Sequence, residues 1–153
     1  MSQATNIIGK TVKATLKNIE QEVAGRAYRA SNELRNASLH VLRGQRSGRV
    51  YRVPFTKKTY QASAPGEPPA VRTGKFRTSW NTNVRVEKAG GRYRAVSMIE
   101  SNLRAKSKGG GSHLLGDILE HGSTRMLPRP YKKAVVSRAM PAVQALYKRP
   151  YKV

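Results

Sequence analysis

Cysteine is absent from this chain of 153 residues, which removes disulfides, zinc–thiolate sites and thiol chemistry together. A composition without cysteine suits a reducing compartment. Acidic side chains are scarce. There are eight, Glu20, Glu22, Glu33, Glu67, Glu87, Glu100, Asp117 and Glu120, too dispersed to suggest the convergent pair that carboxylate hydrolases need. Hydrophobic residues make up 38% and aromatics 7%, which bounds a modest core with much surface left over. No apolar run approaches the roughly 20 residues of a membrane span. The opening Met1-Ser2-Gln3-Ala4-Thr5-Asn6 is polar where a secretory signal has an apolar core. The expectation is a soluble protein with no membrane partner, used in a cytoplasm or assembled there into something larger.

Catalytic signatures are equally thin. His40, His113 and His121 have no metal-ligand spacing. Gly9-Lys10-Thr11 copies the end of a P-loop without its first glycine or a preceding strand, so phosphate cradling fails on context. No enzyme, metal or cofactor is expected.

What the chain has in abundance is positive charge. Thirty lysines and arginines give a formal net charge of +22. Basic and acidic residues number 7 and 3 in 1–44, 12 and 3 in 45–100, and 11 and 2 in 101–153, so the excess is spread rather than confined to a tail. Such a surface repels itself and seeks polyanions, acidic partners or counterions.

The size predicts a single domain, 1–153, of α+β class. Its parts are a long N-terminal helix (1–44), strands with a Pro-rich loop (45–100), a flexible Gly-rich loop (101–112), C-terminal helices (113–147) and a basic tail (148–153). Val12, Leu16, Ile19, Val23, Ala27, Ala30, Leu34, Ala37 and Val41 recur about every 3.6 residues, the period of a straight α-helix. That stripe is narrow and alanine-rich, which predicts close packing on a neighbour. Gly25 either admits a close backbone approach or weakens the helix by about 1 kcal/mol; Gly44 and Gly48 read as its stop. A rod of roughly 50 Å is long for so small a domain, so one end should project toward another subunit.

Residues 49–53 alternate as a strand, and the prolines of 54–71 predict an extended loop with little regular structure. Thr73 reads as the cap of a short helix reaching Trp80. Two strands, 82–88 and 92–99, flank a hairpin signal at Ala89-Gly90-Gly91, giving a small, mostly antiparallel sheet. Leu114, Leu115, Ile118 and Leu119 form the face of a short helix closed by Gly122. Pro130 should open the last helix, with Val135, Ala139, Val143 and Leu146 in register and Pro141 kinking or dividing it. The tail from Lys148 reads as frayed until held.

Three motifs occur in order: Pro65-Gly66-Glu67-Pro68-Pro69, then Arg72-Thr73-Gly74-Lys75-Phe76-Arg77-Thr78-Ser79-Trp80, then Leu119-Glu120-His121-Gly122-Ser123 ahead of Arg129-Pro130-Tyr131. In this order they resemble the tail-component, or neck, proteins of long-tailed bacteriophages, with His121 where those proteins usually carry an aromatic. The resemblance implies a virion structural protein at the head–tail junction, assembled in the host cytoplasm and acting as a ring without catalysis. Hexameric or dodecameric symmetry, and neighbours among neck, portal-adaptor and tail-tube proteins, follow from the same likeness.

Under that resemblance, subunit-contact or structural roles fall to Pro65, Gly66, Glu67, Pro68, Arg72, Thr73, Gly74, Phe76, Ser79, Glu120, Gly122, Arg129, Pro130 and Tyr131. Glu120 at a helix end suits pairing with Arg125 or Arg129, or accepting backbone N–H groups of the turn. The proline loop reads as a rigid connector or as an arm onto a neighbour. Phe76 and Trp80 read as core anchors, although a basic-aromatic cluster also suits nucleic acid. Lys106, Lys108, Lys148, Arg149 and Lys152 are candidates for contact with DNA or an acidic partner. The rival class is a stand-alone basic nucleic-acid-binding protein, for which no helix-turn-helix spacing, RNA-recognition signature or zinc framework is present.

Overall fold

The alanine stripe becomes α1, Gln3–Val41, in a computed structural model that describes residues 3–106 and 111–151. Only the second half of this helix is packed. Ala27, Ala30, Ala37 and, just beyond the helix, Leu42 are buried, whereas Ile7, Ile8, Val12 and Leu16 are exposed. From Asn6 to Asn18 every residue but Thr15 is open to solvent, so the N-terminal turns project as expected.

Two elements flank the packed half. The first is a hairpin of β3 (Asn81–Ala89) and β4 (Arg92–Glu100), paired antiparallel from Asn81↔Glu100 to Ala89↔Arg92. Gly90 and Gly91 turn it with φ of 56° and 74°, the positive pair that a tight two-residue hairpin loop demands. Ser97 donates to the Ala27 carbonyl at 2.8 Å, and Lys88 bonds Glu20, which fastens the hairpin lengthwise to α1. The second is α4, Lys132–Lys148. Val135 and Ala139 are buried and Val143 and Leu146 half-buried, the register the sequence predicts.

The remaining elements are short. They are β1 (Val50–Arg52) with β2 (Thr59–Gln61), α2 (Lys75–Thr78), β5 (Arg104–Lys106) with β6 (Ser112–Leu114), and α3 (Leu115–His121). The fold is α+β, but its strands form three separate antiparallel pairs rather than one sheet. The small core joins Ala37, Leu42, Trp80, Tyr131, Val135 and Ala139, with Leu34, Val41, Phe76, Ile99, Leu119 and Val143 at its margin.

Several local expectations change. The proline-rich 54–71 segment contains strand β2, because Tyr60 pairs with Tyr51. The 101–112 segment is not a plain loop: β5 lies within it and β6 begins at Ser112, so Leu114, expected on the face of the short helix, ends β6 instead; glycines 109 and 110 lie outside the described residues. Neither Gly44 nor Gly48 adopts the left-handed cap conformation. The helix end is closed instead by Arg46, whose Nη2 donates to the Val41 carbonyl at 2.8 Å. Gly48 serves a close approach: a Cβ there would sit 2.6 Å from the Ala62 carbonyl oxygen.

Pro130 precedes α4 rather than opening it, and Tyr131 takes the N-cap position. Pro141 leaves α4 undivided. The carbonyl it deprives of a donor belongs to Ser137, an exposed residue, where water can substitute.

Gly25 does not serve close packing. A Cβ there meets nothing nearer than the end of Arg29 at 4.0 Å. Gly25→Ala should therefore stabilise the protein by about 1 kcal/mol through helix propensity alone, read as a raised thermal midpoint.

Candidate assembly junction

The three sequence motifs meet at one place, where α2, the end of α3 and the start of α4 converge beside the C-terminal end of α1. Its centre is aromatic. Phe76, Trp80 and Tyr131 contact one another edge-to-face, with centroid separations of 5.5 Å (Phe76–Trp80), 5.5 Å (Phe76–Tyr131) and 5.8 Å (Trp80–Tyr131). Such geometry sets the positive edge of one ring on the negative face of the next. Trp80 is a buried core residue and half-buried Phe76 packs against it. The Tyr131 hydroxyl reaches the Gly116 carbonyl at 3.3 Å, and its pKa is raised, first by burial and then by the Glu120 and Asp117 charges.

Glu120 supplies the connection between helices. Its Oε2 accepts the backbone N–H of Tyr131 at 2.9 Å and of Lys132 at 3.2 Å. These belong to the first, otherwise orphaned donors of α4, and a carboxylate at that end also suits the helix dipole. The carboxylate bonds neither Arg125 nor Arg129; the donors it takes lie at the helix start rather than in the turn. Arg129 instead donates through Nη1 to the Ser63 carbonyl and through its backbone N–H to the Leu119 carbonyl, the latter at 2.7 Å.

Gly122 makes this path possible. At φ 80° and ψ −171° it ends α3, its N–H bonded to Ile118, and a Cβ there would lie 2.7 Å from the Met126 carbonyl oxygen. Gly74 plays the matching role at the other motif. It stands at the N-cap of α2 in left-handed conformation, φ 76°, where the sequence suggested Thr73. The Thr73 hydroxyl makes only a 3.4 Å contact with the Lys75 N–H. Ser79 bonds the Phe76 carbonyl and the Ser101 hydroxyl, at 2.9 and 2.6 Å, holding the exit of α2.

The Pro65–Pro69 loop is fastened to its own chain. Gly66, at φ 82°, donates to the Pro128 carbonyl at 3.2 Å. The Pro69 carbonyl receives Arg46 Nη2 at 3.1 Å. Pro65 is exposed and Pro68 half-buried. Glu67 is the knot: it accepts the Ser47 hydroxyl at 2.6 Å, the Ala64 N–H at 2.8 Å and the Ser47 N–H at 3.1 Å. Those bonds, the hydroxyl foremost, hold its pKa down to about 2 from the ordinary 4.5.

The sign of the linkage follows from a depressed carboxyl. Glu67 contributes stability above about pH 4.5, and that contribution is lost as pH falls from there toward about 2. The Ser47 and Ala64 amide resonances of the folded wild-type chain should titrate together with a midpoint near pH 2, well below an ordinary glutamate. In Glu67→Gln they should stay flat.

Between this loop, α2 and α3 lies an open trough of about 670 Å³. Leu103, Leu115, Leu119 and Met126 line it, and Arg72, Lys75, Arg77, Arg104 and Arg129 border it without a carboxylate. Arg72 and Lys75 are exposed, whereas Arg77 and Arg129 are half-buried.

Of the outlying basic candidates, Lys106, Lys148 and Arg149 are exposed; Lys108 and Lys152 lie outside the described residues. Residues 149–151, which the sequence reads as part of a frayed tail, are held. Arg26, 2% exposed, donates to the carbonyls of Arg149 and Pro150 at 2.5 and 2.7 Å and to Glu22 at 3.1 Å. Tyr151 covers its guanidinium at 3.9 Å. Sequence reading missed Arg26, Arg46 and Gly116, whose absent Cβ leaves room for the Tyr131 hydroxyl. A glycine inside a seven-residue helix was the one available signal among them. The histidines stand apart, at the end of α1, on β6 and at the end of α3.

No family model, curated protein or solved structure matches this chain.

Proposed function

We propose that this protein is a structural subunit of a long-tailed bacteriophage particle, a neck or tail-completion protein that works by ring assembly and without a catalytic step. The observation that carries the reading is the projecting part of α1. Ile8, Val12 and Leu16, each more than half exposed, continue the stripe that the packed half buries. A helix that leaves its own apolar face open invites cover from another subunit.

The junction supports the same reading. The three motifs behind the resemblance lie at one convergence point, where Glu120, Gly122 and the aromatic trio fix the angle between α3 and α4. A subunit that must fit its neighbours needs such a rigid corner. The neighbours in this reading are further copies of the chain, in a hexameric or dodecameric ring, and neck, portal-adaptor or tail-tube proteins above and below.

Charge favours a second reading, a stand-alone nucleic-acid-binding protein. Among the described residues only five ion pairs join basic to acidic side chains, two of them sharing Glu22, so most of the +22 remains available to a polyanion. A ring around the genome's path uses the same charge for phosphate contact without sequence readout.

Electron microscopy of lysates from a phage with an early stop codon in this gene separates the two readings. Filled heads and separate tails accumulating side by side are expected. Normal infectious particles would overturn the assembly reading and leave the stand-alone one.

A further inference from the structure

The β1–β2 ribbon takes no part in the junction. Both strands are exposed apart from half-buried Tyr60, a poor arrangement for an isolated two-stranded ribbon in water. Tyr51 and Tyr60 pair across it, their rings stacked at 5.9 Å. At the tip, Thr56 N–H bonds the Val53 carbonyl at 3.2 Å and Val53 N–H bonds the Lys58 carbonyl at 2.8 Å. Phe55 occupies the turn position at φ 60°, where a bulky side chain is an outlier and glycine the usual tenant. Its side chain is wholly exposed, at 107% of the reference area. Neither packing nor backbone preference within this chain accounts for a phenyl ring there.

The surroundings say what it suits. Arg49, Arg52, Lys57 and Lys58 are exposed along the same ribbon. No acidic residue occurs between Glu33 and Glu67, and none of the four cations has an ion-pair partner among the described residues. A polyanion that also offers flat apolar faces satisfies both the charges and the ring, and nucleic acid is that ligand. A two-stranded ribbon is narrow enough to enter a DNA groove, and apolar tips can wedge against base steps.

We propose that the β1–β2 ribbon is a sequence-independent DNA-binding arm. Arg49, Arg52, Lys57 and Lys58 neutralise backbone phosphates, and Phe55 stacks on a base plane at the tip. The inference deepens the assembly reading by naming the part of the subunit that meets the genome. It is tested on the isolated full-length chain, so its failure leaves the particle phenotype untouched, and the converse holds.

The experiment is fluorescence anisotropy with a mixed-sequence DNA duplex carrying 2-aminopurine, over a salt series. A ribbon variant replaces Arg49, Arg52, Lys57 and Lys58 by glutamine. A control of equal charge replaces the exposed Lys10, Lys13, Lys17 and Lys133 by glutamine. The ribbon variant should flatten the log–log salt slope by roughly 3–4, as loss of four phosphate contacts requires, and the control by less than about 1. Phe55→Gly should weaken binding about tenfold at fixed salt and abolish the 2-aminopurine change. Its melting temperature should not fall, since glycine suits that backbone. Equal slope losses from both quadruple variants would mean diffuse charge and overturn the proposal, as would unchanged affinity in Phe55→Gly. Unaltered DNA binding with lost binding to phosphatidylserine vesicles would make the ribbon a membrane arm instead.

Discussion

Tyr131→Ala should lower the unfolding free energy by about 4 kcal/mol, the size expected for truncating a buried aromatic. The ring is 2% exposed and touches both Phe76 and Trp80 edge-on, contacts that add about 1 kcal/mol beyond area. Removing it leaves a void bounded by α2, α3 and α4, three elements held apart by different bonds and unable to collapse together. Urea denaturation gives the loss directly, as a lower midpoint at unchanged slope. Tyr131→Phe is the control. It sacrifices only the 3.3 Å bond to Gly116 and should cost less than about 1.5 kcal/mol. A Phe variant as damaged as the Ala variant would shift the weight from packing to that hydroxyl.

Arg26→Ala is expected to cost about 3 kcal/mol. The guanidinium is desolvated and spends its donors on two carbonyls of the C-terminal tail and on Glu22. Its loss leaves the Arg149 and Pro150 carbonyls without these donors and Tyr151 without its cation, a contact of about 1–2 kcal/mol when desolvated. The loss should be local before it is global. Limited proteolysis of the variant should trim the tail after Lys148 while the rest of the chain still resists. Arg26→Lys keeps the charge without the planar fork and should recover less than half of the stability. Full recovery by lysine would show that charge alone holds the tail.

The regular elements were legible because their signals are local. The α1 stripe, the Ala89-Gly90-Gly91 hairpin and the Gly122 stop each depend on residues a few positions apart, and each stands where the spacing puts it. The junction was legible in part. Glu120 carried a structural role in the sequence, but its partners, Tyr131 and Lys132, emerge only once α3 has turned back on α4. Strands β2, β5 and β6 were hidden because proline and glycine neighbours mask three-residue runs, and cross-strand pairing decides them. Arg26 was invisible for a different reason. On a helix it reads as surface charge, and the carbonyls it binds lie more than 120 residues away in sequence. Charge counting finds how much positive potential a chain carries, not which guanidinium is spent inside.

The free half of α1 has a kinetic and an entropic side. Helices of a dozen residues rarely hold alone in water because their first turn is costly to nucleate. Here that turn already exists, fixed in the packed half, so the projecting residues need only propagate from it. Their amides should exchange with solvent deuterium far faster than those around Ala30 and Ala37, by fraying inward from the end. Yet the helical state is built before any neighbour arrives. In the proposed ring, a subunit docking on Ile8 and Val12 would meet a surface whose backbone order was settled by intramolecular folding, and the usual entropy loss of ordering a binding segment would largely have been met in advance.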